Sequence, residues 1–103
     1  MEYQLRRYQI APGKLDEFVE GWTSGVMPLR EQFGFRVRGA WSIPESSEFV
    51  WIISYDGPDG LVAADARYYD SNERRSLAPN PAVHIIGSDH KMAMPVLEPD
   101  TRK

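Results

Sequence analysis

Residues 12–33 read PGKLDEFVEGWTSGVMPLREQF, and how this stretch folds decides the architecture. Leu15, Phe18, Val19, Trp22, Val26, Leu29 and Phe33 recur at the three- and four-residue intervals of one helical face. Lys14, Asp16, Glu17, Glu20, Ser24, Arg30 and Glu31 fall on the other face, which the pattern places in water. The spacing predicts an amphipathic helix of roughly 30 Å, at about 1.5 Å per residue. Pro28 removes one backbone donor and crowds the preceding turn, a cost of about 3 kcal/mol in a regular helix. With Gly25 beside it, a kink or break is expected near residues 25–27, and Gly34 is the stop signal.

The segments on either side of this helix read as a sheet. YQLRRYQI (3–10) is a strand with apolar and polar groups on both faces: Tyr3 and Leu5 precede Arg7 and Gln9, while Gln4 and Arg6 precede Tyr8 and Ile10. FRVRGAWSI (35–43) alternates Phe35, Val37, Gly39, Trp41 and Ile43 against Arg36, Arg38, Ala40 and Ser42, so Trp41 is expected in the core. PESS (44–47) is turn chemistry, and EFVWIISY (48–55) returns with Phe49, Trp51, Ile53 and Tyr55 on one side. The hairpin register stays open, with Trp41 opposite Val50 or opposite Trp51 according to loop length.

DGPDG (56–60) is the densest turn signal in the chain. A second helix is expected over about 59–69, and a short capped one from Asp70-Ser71 to Leu77. Asn80-Pro81 is a helix start, and the residues after it are read as a helical turn in preference to a strand. The last strand is placed at 89–97, where Pro95 implies an edge or a bulge. The resulting order is βαββαβ, an α+β, ferredoxin-like antiparallel sheet with helices on one face. Because the first and third strands are apolar on both sides, the open face needs a cover. A second copy of the chain, giving a dimeric α/β barrel, is the simplest one.

Composition narrows the function classes. A chain of 103 residues is one domain, placed at residues 1–98 with a polar tail at 99–103. There is no cysteine, which excludes disulfides, thiolate metal sites and a Cys nucleophile. A cytoplasmic location is the expectation, since MEYQLRRYQI lacks the basic-then-apolar layout of a leader and no apolar run approaches a membrane span. A net charge of −3 without a basic stripe argues against nucleic acid as the partner.

In combination, YQLRRYQIAPGKLDEFVEGW, VMPLREQFGFRVRGAW, FVWIISYDGPDG and YYDSNERRSL resemble a short, stand-alone NIPSNAP-type member of the dimeric α/β-barrel superfamily. The resemblance spans roughly residues 3–77 and implies the fold and a homodimer. It carries over no catalytic motif and no cofactor. Other branches of the superfamily include cofactor-free monooxygenases, haem-degrading enzymes and small isomerases or cyclases, and fold alone does not choose among them.

Individual residues give a short set of candidates. His84 could act as a general base near neutral pH, and His90 is read as a surface residue. No ligand-pair spacing of histidines exists, so neither a metal nor a cofactor is expected. Trp22, Arg38, Trp51, Tyr55 and Tyr69 are the candidate lining of a cleft between helix and sheet. Arg6 or Arg7 and Arg36 are further cations that could meet an anionic small molecule, against the plainer reading of solvated arginines. Two functions follow. One is an oxygenase, isomerase or cyclase, which needs a cleft of roughly 300 Å³ or more with a polar group at its base. The other is a non-catalytic dimer that binds a small ligand or another protein.

Overall fold

The computed structural model describes residues 1–97; the tail expected at 99–103 lies outside the described residues. Four strands, β1 (Glu2–Ile10), β2 (Arg36–Ile43), β3 (Glu48–Tyr55) and β4 (Ile85–Ala93), form one antiparallel sheet in the order β2-β3-β1-β4. The helices are α1 (Leu15–Gly21), α2 (Met27–Gln32), α3 (Leu61–Asp70) and α4 (Asn72–Arg75), with a 3₁₀ turn at Pro81–His84. This is the βαββαβ, ferredoxin-like arrangement.

The long helix does not break at the proline. Between α1 and α2 the chain widens into a π-helical segment, Trp22–Val26, and all the junction residues keep helical backbone angles. Pro28 is the second residue of α2, directly after this widened segment, where its ring and missing N–H disturb fewer bonds than in a tight α-turn. Gly34 ends the helix at φ 92°, and the Phe35 N–H closes back on the Arg30 carbonyl at 3.1 Å. The stripe survives the π segment with one change. Phe18, Trp22 and Arg30 are its buried members, so Arg30 lies inside and not on the wet face. The run 18, 22, 26, 30 advances by four, and the extra residue of the π turn rotates Arg30 under the helix.

A second departure lies in β2. The β2–β3 register shifts between Val37 and Gly39, so Val37 opposes Ile53 while Ala40 opposes Trp51 and Trp41 opposes Val50. One extra residue in an antiparallel strand transfers everything beyond it to the opposite face. Trp41 therefore leaves the core and is 54% exposed on the helix-free side, contrary to its expected burial.

The third departure is β4, which begins at Ile85, four residues before the expected start, and ends at Ala93. The β-branched pair Ile85-Ile86 starts the strand. The helical turn expected after Asn80-Pro81 occupies only Pro81–His84, with Asn80 Oδ1 accepting from the Ala82 N–H at 3.0 Å. Pro95 lies beyond the strand, where it costs no ladder hydrogen bond.

The core between helices and sheet contains Tyr8, Ile10, Phe18, Trp22, Phe35, Phe49, Trp51, Ile53, Leu61, Ala64 and Tyr68. Its rings meet mostly edge-on or tilted: Trp22 and Trp51 have centroids 5.2 Å apart at 75°, and Phe18 and Phe49 are 5.0 Å apart at 63°. α3 is held at its start by the first strand residue, Glu2, whose Oε1 accepts from the Leu61 N–H at 2.6 Å. α4 is capped by Ser71, whose hydroxyl accepts from the Arg74 N–H at 3.1 Å.

Candidate functional site

Strand alternation puts Gln4, Arg6, Tyr8 and Ile10 of β1 on the helix-covered face, a mixture of polar and apolar groups under one roof. Trp51 of β3 and His90 of β4 sit directly opposite Arg6 on its two sides. The roof above is α3 together with the π segment and α2. Arg6 is fully buried and Arg30 is 1% exposed, yet both carry their charge beneath this roof.

One carboxylate holds them together. Arg6 Nη2 donates to Asp65 Oδ1 at 2.8 Å, and Arg30 Nη1 donates to the same oxygen at 2.7 Å. The Tyr69 hydroxyl accepts more weakly from both guanidiniums, at 3.3 Å each. Gln4 Oε1 takes the Arg6 Nε–H at 2.7 Å. Aromatic faces complete the enclosure: the Arg30 guanidinium carbon lies 3.8 Å from the Tyr68 ring centroid and 4.8 Å from that of Phe35. Two buried cations thus share one anion, leaving a positive charge that no described residue of this cluster balances.

The protonation states follow from the packing. Burial opposes the Arg6 charge, but Tyr8, Asp65 and Tyr69 outweigh it, so its pKa rises above the usual arginine value. Burial pushes the Tyr68 hydroxyl up against the opposing pull of Arg30 and Arg74, and burial likewise raises Tyr8. Both phenols are therefore protonated at neutral pH. His90 is shifted down, first by desolvation and then by the charge of Arg6, which leaves it a neutral imidazole.

Beside this cluster is a narrow cavity of about 30 Å³, lined by Tyr8, Phe18, Trp22, Val26, Arg30, Trp51, Tyr68, Tyr69, Arg74, Pro81, Ala82 and Ile85. The sequence-based expectation for an enzyme was ten times larger. Aromatic side chains fill most of the space between helix and sheet. What remains has an unusual lining. Trp22 Nε1, Trp51 Nε1, Arg30 Nε and the Tyr68 hydroxyl are all buried without a hydrogen-bond partner. Only two other side-chain atoms among the described residues share that condition, Arg38 Nη2 and Ser54 Oγ. An unmet buried donor costs roughly 1–3 kcal/mol, so a cluster of four around one cavity calls for an explanation.

Of the sequence candidates, Trp22, Trp51 and Tyr69 stand round this cavity. Tyr55 does not: its hydroxyl is engaged with Asp59 Oδ1 at 2.9 Å and Arg67 Nη2 at 3.1 Å, beside the 56–60 turn. Arg38 is the residue displaced by the β2 bulge and lies on the helix-free face, 5.9 Å from the Tyr3 ring. His84 lies outside the cavity in the 3₁₀ turn, with Nε2 3.6 Å from Glu17 Oε2, on a surface groove of about 430 Å³. Arg30 and Asp65 escaped the sequence reading. Their signal was a charged residue inside an apolar stripe: Arg30 continues the 18-22-26 series, and Asp65 falls between Leu61, Ala64 and Tyr68 on α3.

Among the described residues, no group of three or more His, Cys, Asp or Glu could hold a metal ion, and no helix is long and apolar enough to cross a membrane. Comparison with known proteins adds the lineage. No curated protein matches. Among solved structures, an uncharacterized NIPSNAP domain protein from Burkholderia xenovorans superposes with a TM-score of 0.80 at 21% identity, covering 97% of this chain and 100% of that one. A NIPSNAP family protein from Agrobacterium tumefaciens gives 0.79 at 16% identity over 91% and 84%. An antibiotic biosynthesis monooxygenase gives 0.68 at 14% identity over 94% and 100%. At these identities the likeness is one of fold. The NIPSNAP family model, however, matches residues 3–96, nearly the whole sheet-and-helix unit described above, and the chain belongs to that family.

Proposed function

We propose that the protein is a cytoplasmic homodimer that binds a small molecule in the cleft between its π-helical segment and its sheet. The four unpartnered donors of Trp22, Trp51, Arg30 and Tyr68 carry this reading. Their side chains line one cavity, and a bound molecule with acceptor atoms is the simplest way to satisfy them together. An oxygenase, isomerase or cyclase would need more room and a free base in reach. Here the carboxylate beside the cleft, Asp65, is engaged by two arginines, and His84 stands elsewhere. Binding without turnover is the reading these facts favour.

The dimer is supported by the helix-free face. It carries the exposed Trp41 with half-buried Leu5, Val50 and Ile52, and the buried, unpartnered Ser54 Oγ and Arg38 Nη2. An apolar sheet face with unsatisfied polar groups gains from a self-complementary cover. Sedimentation at micromolar concentration should return twice 11.8 kDa; the monomer mass would contradict the dimer.

The binding reading is tested by screening small molecules against the indole N–H resonances. A ligand of the cleft should shift Trp22 and Trp51 together and leave Trp41 in place. A screen in which no compound moves the first two, or in which Trp41 alone responds, would refute it.

A further inference from the structure

The charge and geometry of the cleft also indicate the chemical class of its occupant, granted the reading that it binds a small molecule. We infer that the site takes a monoanionic carboxylate, with its two oxygens inside the cavity and its organic body at the mouth.

Charge balance comes first. Arg6 and Arg30 are buried within 1% of completely, and Asp65 is their single shared carboxylate. One positive charge remains uncompensated, and low-dielectric surroundings make that imbalance costly. One negative charge restores neutrality within the buried trio of Arg6, Arg30 and Asp65. Arg74, half-buried over the Tyr69 ring at 5.1 Å, lines the mouth and adds attraction for an approaching anion.

The donor set points the same way. Trp22 Nε1 and Trp51 Nε1 can only donate, as can Arg30 Nε, and the raised pKa of Tyr68 keeps its proton on. Three of the four unmet groups can only donate and the fourth keeps its proton, so donors predominate and favour an oxyanion over an alcohol, amine or amide, which would bring donors of its own. A carboxylate offers two oxygens with about four lone-pair sites, one for each unmet donor.

Size is the third constraint. A cavity of about 30 Å³ holds one or two water-sized groups, which suits two oxygens and excludes a whole organic molecule. The remainder of the ligand would lie against Tyr69, Arg74, Pro81 and Ala82. The segment carrying the last two is seated on the glycines of the long helix. A Cβ at Gly21 would come 3.1 Å from Pro81 Cβ, and one at Gly25 would come 3.0 Å from Leu77 Cδ1. The rings and prolyl side chain in this lining favour a flat, apolar body, and an aryl carboxylate is the simplest such compound to test.

The test is calorimetric titration of the full chain with benzoate, its neutral isostere benzamide, and inorganic phosphate, run beside the indole spectra. Benzoate should saturate one site per chain, shift both cleft indoles, and bind at least about tenfold more tightly than benzamide, the usual scale of a charge-assisted contact. Tyr68→Phe keeps the ring and removes one donor, and should weaken benzoate several-fold without changing the weak benzamide response. Trp22→Phe, which removes a donor together with part of the wall, should also weaken benzoate several-fold. Benzamide binding as tightly as benzoate, or phosphate more tightly than either, would overturn the carboxylate assignment and leave the small-molecule reading standing. Benzoate failing to move the indoles while an uncharged compound moves them would do the same. If no compound moves them, both readings fall together.

Discussion

Replacing Asp65 by Asn removes one charge while preserving shape, and its consequence can be worked from the contacts. The Asp65 Oδ1 atom accepts from Arg6 at 2.8 Å and from Arg30 at 2.7 Å, and both arginines are almost completely buried. Asn retains an oxygen, so one or both hydrogen bonds survive in weakened form, but two buried cations then face each other with no counter-charge. Breaking a buried pair by removing one partner costs about 3–5 kcal/mol. The retained oxygen, and a side chain for Asp65 that is 24% exposed and so reached by water, place Asp65→Asn at the lower end, about 3 kcal/mol. For a domain near 100 residues this is a drop in Tm of roughly 12 °C or more. Urea titration at neutral pH measures it, with an unchanged slope showing that the folded state keeps its compactness. A loss below about 1 kcal/mol would mean that water screens the cluster, and the charge argument for the cleft would lose its basis.

Two further outcomes test other parts of the structure. His90 has its pKa lowered below the usual 6.5, first by desolvation and then by Arg6, so the unfolded chain binds its proton more readily than the folded one. Stability should therefore fall as pH drops below about 6.5, a decline that His90→Phe should flatten; urea midpoints at pH 7.5 and 5.5 for both proteins would show whether it does. Gly21→Val should lower Tm, because the added Cβ meets the Pro81 ring at 3.1 Å in a turn with little freedom to retreat, an overpacking cost of about 1–3 kcal/mol. A rise in Tm would show that the 77–84 segment yields easily, and would remove it as a firm wall of the cleft.

How much of this was legible in the sequence depends on which physical signal each residue carried. Strand β3 and the approximate bounds of β1 and α3 follow from alternation, helical spacing and turn chemistry. A cap at Asp70-Ser71 was also legible, though the structure uses Ser71 alone and its helix stops at Arg75 and not Leu77. Trp41 was misplaced because a bulge leaves no mark in the alternation of apolar residues; Gly39 was its only trace. Arg30 was misplaced because a π turn inserts one residue into a helix whose pattern still reads as α. In both cases a single extra residue changed which side chain downstream faces the core, and only the tertiary partner reveals it.

The cleft was half legible. Trp22 and Trp51 were expected there because large aromatics on a helix stripe and a central strand must meet. Arg6 was among the cations considered for an anionic ligand, but Arg30 and Asp65 were hidden because the rule that charges face water is usually right, and it fails where arginines on separate elements converge on one carboxylate. Arg6, Arg30 and Asp65 lie 24 or more residues apart in sequence, and nothing local announces their meeting. Polar residues embedded in apolar stripes, at Arg6, Arg30 and Asp65 alike, are the general clue that a fold has built something beyond a core.

The most direct test of the whole account is a high-resolution crystal structure of the protein grown with benzoate. The account predicts density for a carboxylate whose oxygens lie within hydrogen-bond distance of Trp22 Nε1, Trp51 Nε1, Arg30 Nε and the Tyr68 hydroxyl. A cleft in which those four atoms are satisfied by protein groups, with benzoate absent or bound elsewhere, would contradict it.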